Sequence, residues 1–302
     1  MKRIRIGGDG PEASAIGIGC MRIPGMTPGE VLGLVDCALA EGIDLFDHAD
    51  IYGGGEAETL FGEAMALRPG LRDGLFLQSK CGIRKGQYDL SGEHILRSTE
   101  QILSRLKTDR LDMLLLHRPD ALMEPEEIAG AFDRLRREGK VRFFGVSNMN
   151  AAQIELIQRH CAVRLIANQL QFSAAHTAII DSGINVNVPG VECFDPVLEY
   201  CRMKKVTIQS WSPLQYGFFE GVFLGSSKCP ELNRALSAVA DREGVTPAAV
   251  AVAWILRHPA DMQVILGSTN ANRIHEMAAA AKANLTRQDW YEIYRAAGNR
   301  LP

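Results

Sequence analysis

Four side chains in the first half of the chain have types that together could move a proton onto an oxygen. Asp47 and Tyr52 lie in FDHADIYGGGEAE (46–58), Lys80 closes LFLQSK (75–80), and His117 closes LDMLLLH (111–117). A tyrosine hydroxyl titrates at about 10 in isolation, too high for ready donation at neutral pH. A neighbouring ammonium favours the phenolate and lowers that value, and a carboxylate bonded to the lysine fixes where the ammonium sits. An imidazole alongside can hydrogen-bond the incoming oxygen. Such a unit suits one oxygen that gains a proton, for instance a carbonyl being reduced. Each residue alone has an ordinary explanation: a solvated strand-end lysine, a core histidine after leucines, an aspartate capping a turn. The chemical reading depends on all four meeting on one face of the fold.

The elements that would bring them together are short apolar runs, each ending in Gly or a polar residue: AIGIGC (15–20), IDLFD (43–47), LFLQSK (75–80), LDMLLLH (111–117), VRFFGVSN (141–148), LIANQ (165–169), VTIQSWS (206–212) and MQVILGS (262–268). Runs that are apolar on both faces suit parallel strands covered by helices. Helical patterns separate most of them. In TPGEVLGLVDCALAEG, Thr27 is the cap, Pro28 the first helical residue and Glu30 the capping-box partner, with Gly42 as the stop. Ile95, Thr99, Ile102 and Leu106 share a face over 91–106, and Thr246–Pro247 opens a helix toward Arg257. Eight such strands alternating with helices predict a single domain over 1–302, a (β/α)8 TIM barrel, with a doubly wound sheet as the main competitor. RIRIGGDGPEAS predicts an N-terminal β-hairpin plugging the barrel bottom, and TRQDWYEIYRAA (286–297) an extra C-terminal helix. The stretch 174–190 lacks helical periodicity, and 213–230 is rich in Gly and aromatics. Connections of that length tend to be functional.

Composition narrows the function classes. The 302 residues are 46% hydrophobic and 23% charged, with a net charge of −3 and no Lys/Arg block, which argues against a nucleic-acid surface. MKRIRIGGDG leads into no apolar stretch, so no signal peptide is expected, and the longest apolar run, AAVAVAWIL (248–256), is too short to span a bilayer. A cytoplasmic location is expected. The seven cysteines (20, 37, 81, 161, 193, 201, 229) are odd in number and include no C-x-x-C, which favours free thiols over a disulfide framework or a zinc site. Cys81, although beside Lys80, reads as a buried structural thiol.

In a barrel of this kind the strand C-termini carry the site. Besides Asp47, Tyr52, Lys80 and His117, those ends hold Ser147–Asn148, Gln169, Trp211–Ser212 and Gly267–Ser268. The set resembles the aldo-keto reductase superfamily over nearly the whole chain. FDHADIYG is similar to that family's Asp-x4-Tyr segment, SKCG to its lysine strand end and LLLHRPD to its histidine strand end. FGVSN, NQ and WSPL follow in the family's order, and the wording of DHADIYGG and LLLHRPD most resembles a bacterial branch of oxidoreductases. The resemblance implies Tyr52 as general acid, lowered in pKa by Lys80, which Asp47 holds, and His117 orienting the carbonyl. It implies Ser147, Asn148 and Gln169 on the nicotinamide carboxamide, Trp211 stacked on its ring, and Ser212 and Leu214 on the pyrophosphate. Hydride passes directly to the carbonyl carbon, so no metal is expected.

GSTNANRIHE (267–276) resembles the family's adenosine-binding segment: Ser268, Asn270 and Arg273 would hold a 2′-phosphate and Glu276 the adenine. An arginine pairs bidentately with phosphate, which favours NADP (NADPH) over NAD. Gly267, where many family members have lysine, removes one cation. The bland reading of Arg273 is a solvated helix-start residue. Gly19, Cys20 and Met21 in AIGIGCMR would lie along the cofactor. The Gly-x-Gly there is no dinucleotide fingerprint, since its third glycine position is Arg22, and close approach to the cofactor better explains Gly19.

Two other functions compete. A metal-dependent barrel hydrolase would use His48 and Asp50 as ligands with His117 and Lys80 in support, but later strand ends offer Ser, Asn, Gln and Trp instead of ligands. A cofactor-binding, redox-sensing regulatory protein on the same barrel would conserve the site with little turnover. The substrate pocket is expected to involve Met21, Ile51, Tyr52, Tyr88, His117 and the aromatics of 216–223. The chain closes at Pro302 soon after the last helix, without the long C-terminal loop of many family members. That implies an open pocket for a small-molecule carbonyl, aldehyde or ketone. His48 has no assigned role.

Overall fold

The computed structural model describes residues 1–185, 196–217 and 220–301. A short antiparallel hairpin, β1 (Arg3–Arg5) with β2 (Glu12–Ser14), precedes the barrel. The barrel strands are β3 (Ile16–Gly19), β4 (Leu45–Asp47) and β5 (Phe76–Cys81). After a second hairpin, β6 (Ile83–Arg84) with β7 (Gln87–Tyr88), come β8 (Leu111–Leu116), β9 (Val141–Ser147), β10 (Leu165–Gln171), β11 (Thr207–Trp211) and β12 (Gln263–Leu266). The order β3-β4-β5-β8-β9-β10-β11-β12 closes on itself with every neighbour parallel. Each expected strand is present, one or two residues shorter in several cases. The doubly wound sheet is thereby excluded.

Local chemistry sets the helices. In α1 (Pro28–Ala40) the Thr27 hydroxyl accepts from the Glu30 N–H at 3.3 Å while Glu30 Oε2 accepts from the Thr27 N–H at 2.7 Å, the reciprocal box legible in the sequence. Around the barrel follow α2 (Glu56–Ala66), α3 (Gly92–Arg105), α4 (Pro125–Arg137), α5 (Ala151–His160), α6 (Ala178–Ile184), α7 (Val197–Lys204), α8 (Pro230–Glu243), α9 (Pro247–Leu256), α10 (Ala271–Ala278) and α11 (Arg287–Ala296). The bottom is sealed as expected. Ile6 and Ala13 of the first hairpin pack with Leu45, Phe76, Met113, Leu115, Ile166, Ala167 and Ile265 in an apolar cluster.

Two features were not legible. The stretch read as non-helical contains the seven-residue α6. Tertiary contacts hold it: Tyr294 donates to Asp181 Oδ1 at 2.6 Å and Thr177 to Asp181 Oδ2 at 2.9 Å. Residues 186–190 of that stretch, Cys193, and Phe218 and Phe219 of the expected pocket lie outside the described residues. Secondly, α8 and α9 both lie between β11 and β12, so α8 is an additional helix as much as α11. The two are fastened by a bidentate pair, Arg242 to both carboxylate oxygens of Asp289 at 2.8 Å, with Thr286 Oγ1 also donating to Asp289. Trp254 of α9 and Trp290 of α11 stack 4.8 Å apart, and each indole N–H reaches the other's backbone carbonyl.

Arg242 first, and Thr286 with it, hold the Asp289 carboxyl at about 2, below its ordinary 3.8. A depressed carboxyl contributes stability that is complete above its unfolded value and lost as pH falls through its folded one. Asp289→Asn is therefore expected to lower the unfolding midpoint near neutral pH, with the gap from the native protein closing between about pH 4 and about pH 2. Urea unfolding across that window measures it, and a gap independent of pH would contradict the assignment.

Candidate active site

Strand alternation decides which side chains enter the barrel. On β5, Gln78 and Lys80 share the inward face, and both are fully buried. Asp47 closes β4 opposite Gln78 in the β4–β5 register. The backbone then continues along β5, the His48 N–H on the Gln78 carbonyl and the Asp50 N–H on that of Lys80, before a kinked turn over Tyr52–Gly55. Gly53, Gly54 and Gly55 stand at φ +59°, +65° and +97°, where an L side chain is strained. Three glycines in this turn let Tyr52 swing back over the strand ends.

The four expected side chains converge. Lys80 Nζ donates to Asp47 Oδ2 at 2.7 Å, to the His48 carbonyl at 2.8 Å and to Tyr52 Oη at 3.2 Å, so all three hydrogens of this fully buried ammonium are satisfied. The His117 ring meets Tyr52 edge-on at 6.2 Å. Burial alone would lower Lys80, but Asp47 and Tyr52 raise it above its ordinary value, and it stays an ammonium. Burial, reinforced by the Lys80 and Arg118 charges, pushes His117 well below its ordinary value and leaves it neutral. For Tyr52 the sequence expectation needs correction. The Lys80 ammonium does act to lower the phenol, yet burial outweighs it and the net direction is upward.

A cavity of about 920 Å³ runs across the strand C-termini. At one end Asp47, Tyr52 and His117 stand with Met21, Ile51 and Tyr88; at the other are Ser268, Arg273 and Glu276. Gly19, Ser147, Asn148, Gln169, Trp211, Ser212 and Leu214 line it between. Their hydrogen bonds are ordered. Ser147 Oγ donates to the Gln169 carbonyl at 2.9 Å, Asn148 Nδ2 to Ser147 Oγ at 2.8 Å, and Trp211 Nε1 to Asn148 Oδ1 at 3.1 Å. Arg118 lies over the Trp211 ring at 5.9 Å. Two expected cofactor residues fall outside the wall. Cys20 is buried behind it, its thiol on the Ile18 carbonyl, and Asn270 is spent as the cap of α10, its side chain accepting from the Arg273 N–H. For Gly19 the neighbouring strand matters too: a Cβ would lie 3.2 Å from Ile265 Cγ2 and from the Leu266 carbonyl.

His48 is fully buried edge-on against Phe61, with neither ring nitrogen hydrogen-bonded, and burial pushes it down to about 3. It is a neutral packing residue whose carbonyl, not its ring, serves Lys80. Cys81 is fully buried and its thiol is raised by burial, as a structural thiol should be. Sequence reasoning overlooked the glutamines beneath Asp47, namely Gln78, Gln209 and Gln263, each fully buried. The available signal was a glutamine within each of three runs read as barrel strands. It also overlooked Glu58, fully buried on α2, which accepts from Ser79 at 2.6 Å and from Arg105 at 2.7 Å and ties α2 to β5 and α3.

A closed parallel barrel with a buried Asp–Lys–Tyr cluster at its strand C-termini defines a class of oxidoreductase. The sequence profile of the Aldo/keto reductase family matches residues 15–297. The chain belongs to that family and is an oxidoreductase. It is similar to the uncharacterized oxidoreductase YcsN of Bacillus subtilis, 38% identical over 280 residues covering 88% of each chain. It is also similar to a 6-dehydroglucose reductase of Agrobacterium fabrum, 36% identical over 98% of both. Among solved structures it resembles an aldo-keto reductase from Klebsiella pneumoniae in complex with NADPH, at TM-score 0.77 and 26% identity over 97% of this chain and 94% of that one. No helix among the described residues is long and apolar enough to cross a membrane.

Both buried imidazoles should resist protonation. In histidine-labelled protein the His48 ring signal is expected to stay in the neutral form from pH 8 down to about pH 5, and that of His117 to titrate well below the ordinary histidine range. A midpoint near 6.5 for either would mean that its burial is relieved in solution.

Proposed function

We propose that the protein reduces an aldehyde or ketone to an alcohol with NADPH, with Tyr52 as the general acid. The observation that carries this reading is the single buried ammonium of Lys80, bonded to both Asp47 Oδ2 and Tyr52 Oη at the catalytic end of the cavity. A carbonyl oxygen seated between Tyr52 and His117 meets a phenol O–H and a neutral imidazole. The dihydronicotinamide, when bound, supplies a hydride to the carbonyl carbon. The carbonyl π pair moves to oxygen and takes the Tyr52 proton, and the phenolate left behind is balanced by Lys80. Burial keeps the phenol protonated at rest, while the fixed ammonium stabilises the anion that forms only as the proton leaves.

The donor set fits a nicotinamide dinucleotide. Both amide hydrogens of Gln169 are used inside the barrel, on Asp47 and Gln209, so its Oε1 is left to accept from a carboxamide N–H. Ser147 and Asn148 would complete that site, with Trp211 against the ring and Ser212 and Leu214 beside the pyrophosphate. Ser268, just before the cap of α10, and Arg273, in its first turn, would hold the 2′-phosphate, where backbone N–H groups and a guanidinium both favour an anion. Glu276 would reach the adenine. The NADPH in the Klebsiella pneumoniae relative supports the choice of cofactor. The name of the Agrobacterium fabrum relative makes a polyhydroxylated aldehyde the first substrate to try.

The test is NADPH consumption with a panel of simple aldehydes, ketones and sugar aldehydes. Tyr52→Phe is expected to lower kcat/KM by about 10²–10⁴ with NADPH affinity unchanged, as for loss of a general acid. NADPH binding by both proteins with turnover in neither would favour a redox sensor. Arg273→Ala is expected to weaken NADPH binding by about tenfold to a hundredfold, the worth of a charge-assisted hydrogen bond, and to leave NADH affinity unchanged. Equal losses for both cofactors would remove Arg273 from the 2′-phosphate site.

A further inference from the structure

Beneath the Lys80 cluster the barrel holds four glutamines, from β5, β10, β11 and β12, joined in one hydrogen-bonded layer. Gln78 Nε2 donates to Asp47 Oδ1 at 2.5 Å and to Gln209 Oε1 at 2.9 Å. Gln169 Nε2 donates to the same two acceptors at 3.0 and 3.2 Å. Gln209 Nε2 donates to Gln78 Oε1 and to Gln263 Oε1, both at 2.9 Å, and Gln263 Nε2 donates to the Ser14 carbonyl at 2.8 Å.

The direction of these bonds is forced. An ionised carboxylate only accepts, so Gln78 and Gln169 must present their NH2 groups to Asp47. Their remaining hydrogens then require Gln209 to present its oxygen, which turns the Gln209 NH2 toward Gln78 and Gln263. Gln263 is left to donate to the fixed backbone carbonyl of Ser14. Reversing any amide would set donor against donor or acceptor against acceptor at a buried position, which is costly. The layer therefore fits one orientation of the Asp47 side chain, with Oδ1 facing the glutamines and Oδ2 turned to Lys80.

We propose that Gln78 is a positioning residue for catalysis: anchored by Gln209 and Gln263, it fixes the Asp47 carboxylate so that Oδ2 holds Lys80 against Tyr52. This rests on the reductase reading above. The titratable groups that face Asp47 are Lys80 on β5, Tyr52 from the coil after β4 and Cys20 from the turn after β3. Farther out, the Lys80 charge acts to lower His48, Asp50, Glu58 and His117. Oδ1 receives its hydrogen bonds from Gln78 and Gln169 alone among the described side chains, and of these two Gln78 lies closer.

Two variants test it. Gln78→Met keeps the volume and removes the donor. In its crystal structure the Lys80–Tyr52 hydrogen bond is expected to be broken, and kcat to fall by about tenfold or more, the worth of a hydrogen bond to a charged group, with KM for NADPH unchanged. Gln78→Glu is nearly isosteric and places a second carboxyl against Asp47; two such groups share a proton until well above the ordinary carboxyl range. Protonated, the introduced group donates an O–H to Oδ1 and mimics the amide. The kcat of Gln78→Glu relative to native is therefore expected to rise as pH falls from about 8 to about 6, while that of Gln78→Met stays flat. A loss of folding stability alone would move both ratios together without that slope. An intact Lys80–Tyr52 bond in Gln78→Met, or a flat ratio for Gln78→Glu, would overturn the proposal. Absence of turnover in the native protein would sink the reductase reading instead, and the variant structure would still decide whether Gln78 positions Lys80.

Discussion

A charged ammonium with no solvent contact is the constraint around which this molecule is arranged. Taking a lysine out of water costs several kcal/mol even after relaxation, a cost offset only by full hydrogen bonding and a close counter-charge. Lys80 has both: a carboxylate, a backbone carbonyl and a phenol, one for each hydrogen. The carbonyl belongs to His48, whose ring is packed away against Phe61, so the residue that looked least explicable contributes through its main chain. Each partner lies within a few residues of the end of β4, and β4 beside β5 is what makes the cluster possible.

The surroundings keep that cluster from relaxing. Below it the amides of Gln78 and Gln169 donate to Asp47, and Gln209 and Gln263 link that layer to the Ser14 carbonyl of the hairpin that closes the barrel. Behind it the buried Glu58 joins Ser79 and the half-buried Arg105, an ion pair that fixes α2 directly after the glycine turn carrying Tyr52. Above it lies the cavity, open to a ligand from Tyr52 to Arg273. The phenol thus sits between the glutamine layer and the cavity, raised by burial; in the proposed reaction Lys80 would stabilise it once its proton leaves. Preorganisation of this kind puts the charge where the anion will develop, with no rearrangement during the reaction.

Much of this was legible in the amino acids alone. The apolar runs ending in Asp47, Lys80, His117 and Gln169 defined strands and the ends at which the cavity lies, because parallel strands buried on both faces are mostly apolar until they emerge. The capping box at Thr27–Glu30 fixed the start of α1, because it is satisfied locally. What the tertiary structure alone decided is which partners meet and which effect wins. Burial outweighs Lys80 at Tyr52, and Asn270 is consumed as a helix cap instead of facing the cavity. The short helix α6 exists because Tyr294 reaches Asp181, and the inward glutamines form one layer only when the barrel closes. Periodicity and capping depend on neighbours in sequence, whereas desolvation and hydrogen bonds between distant strands depend on the closed barrel.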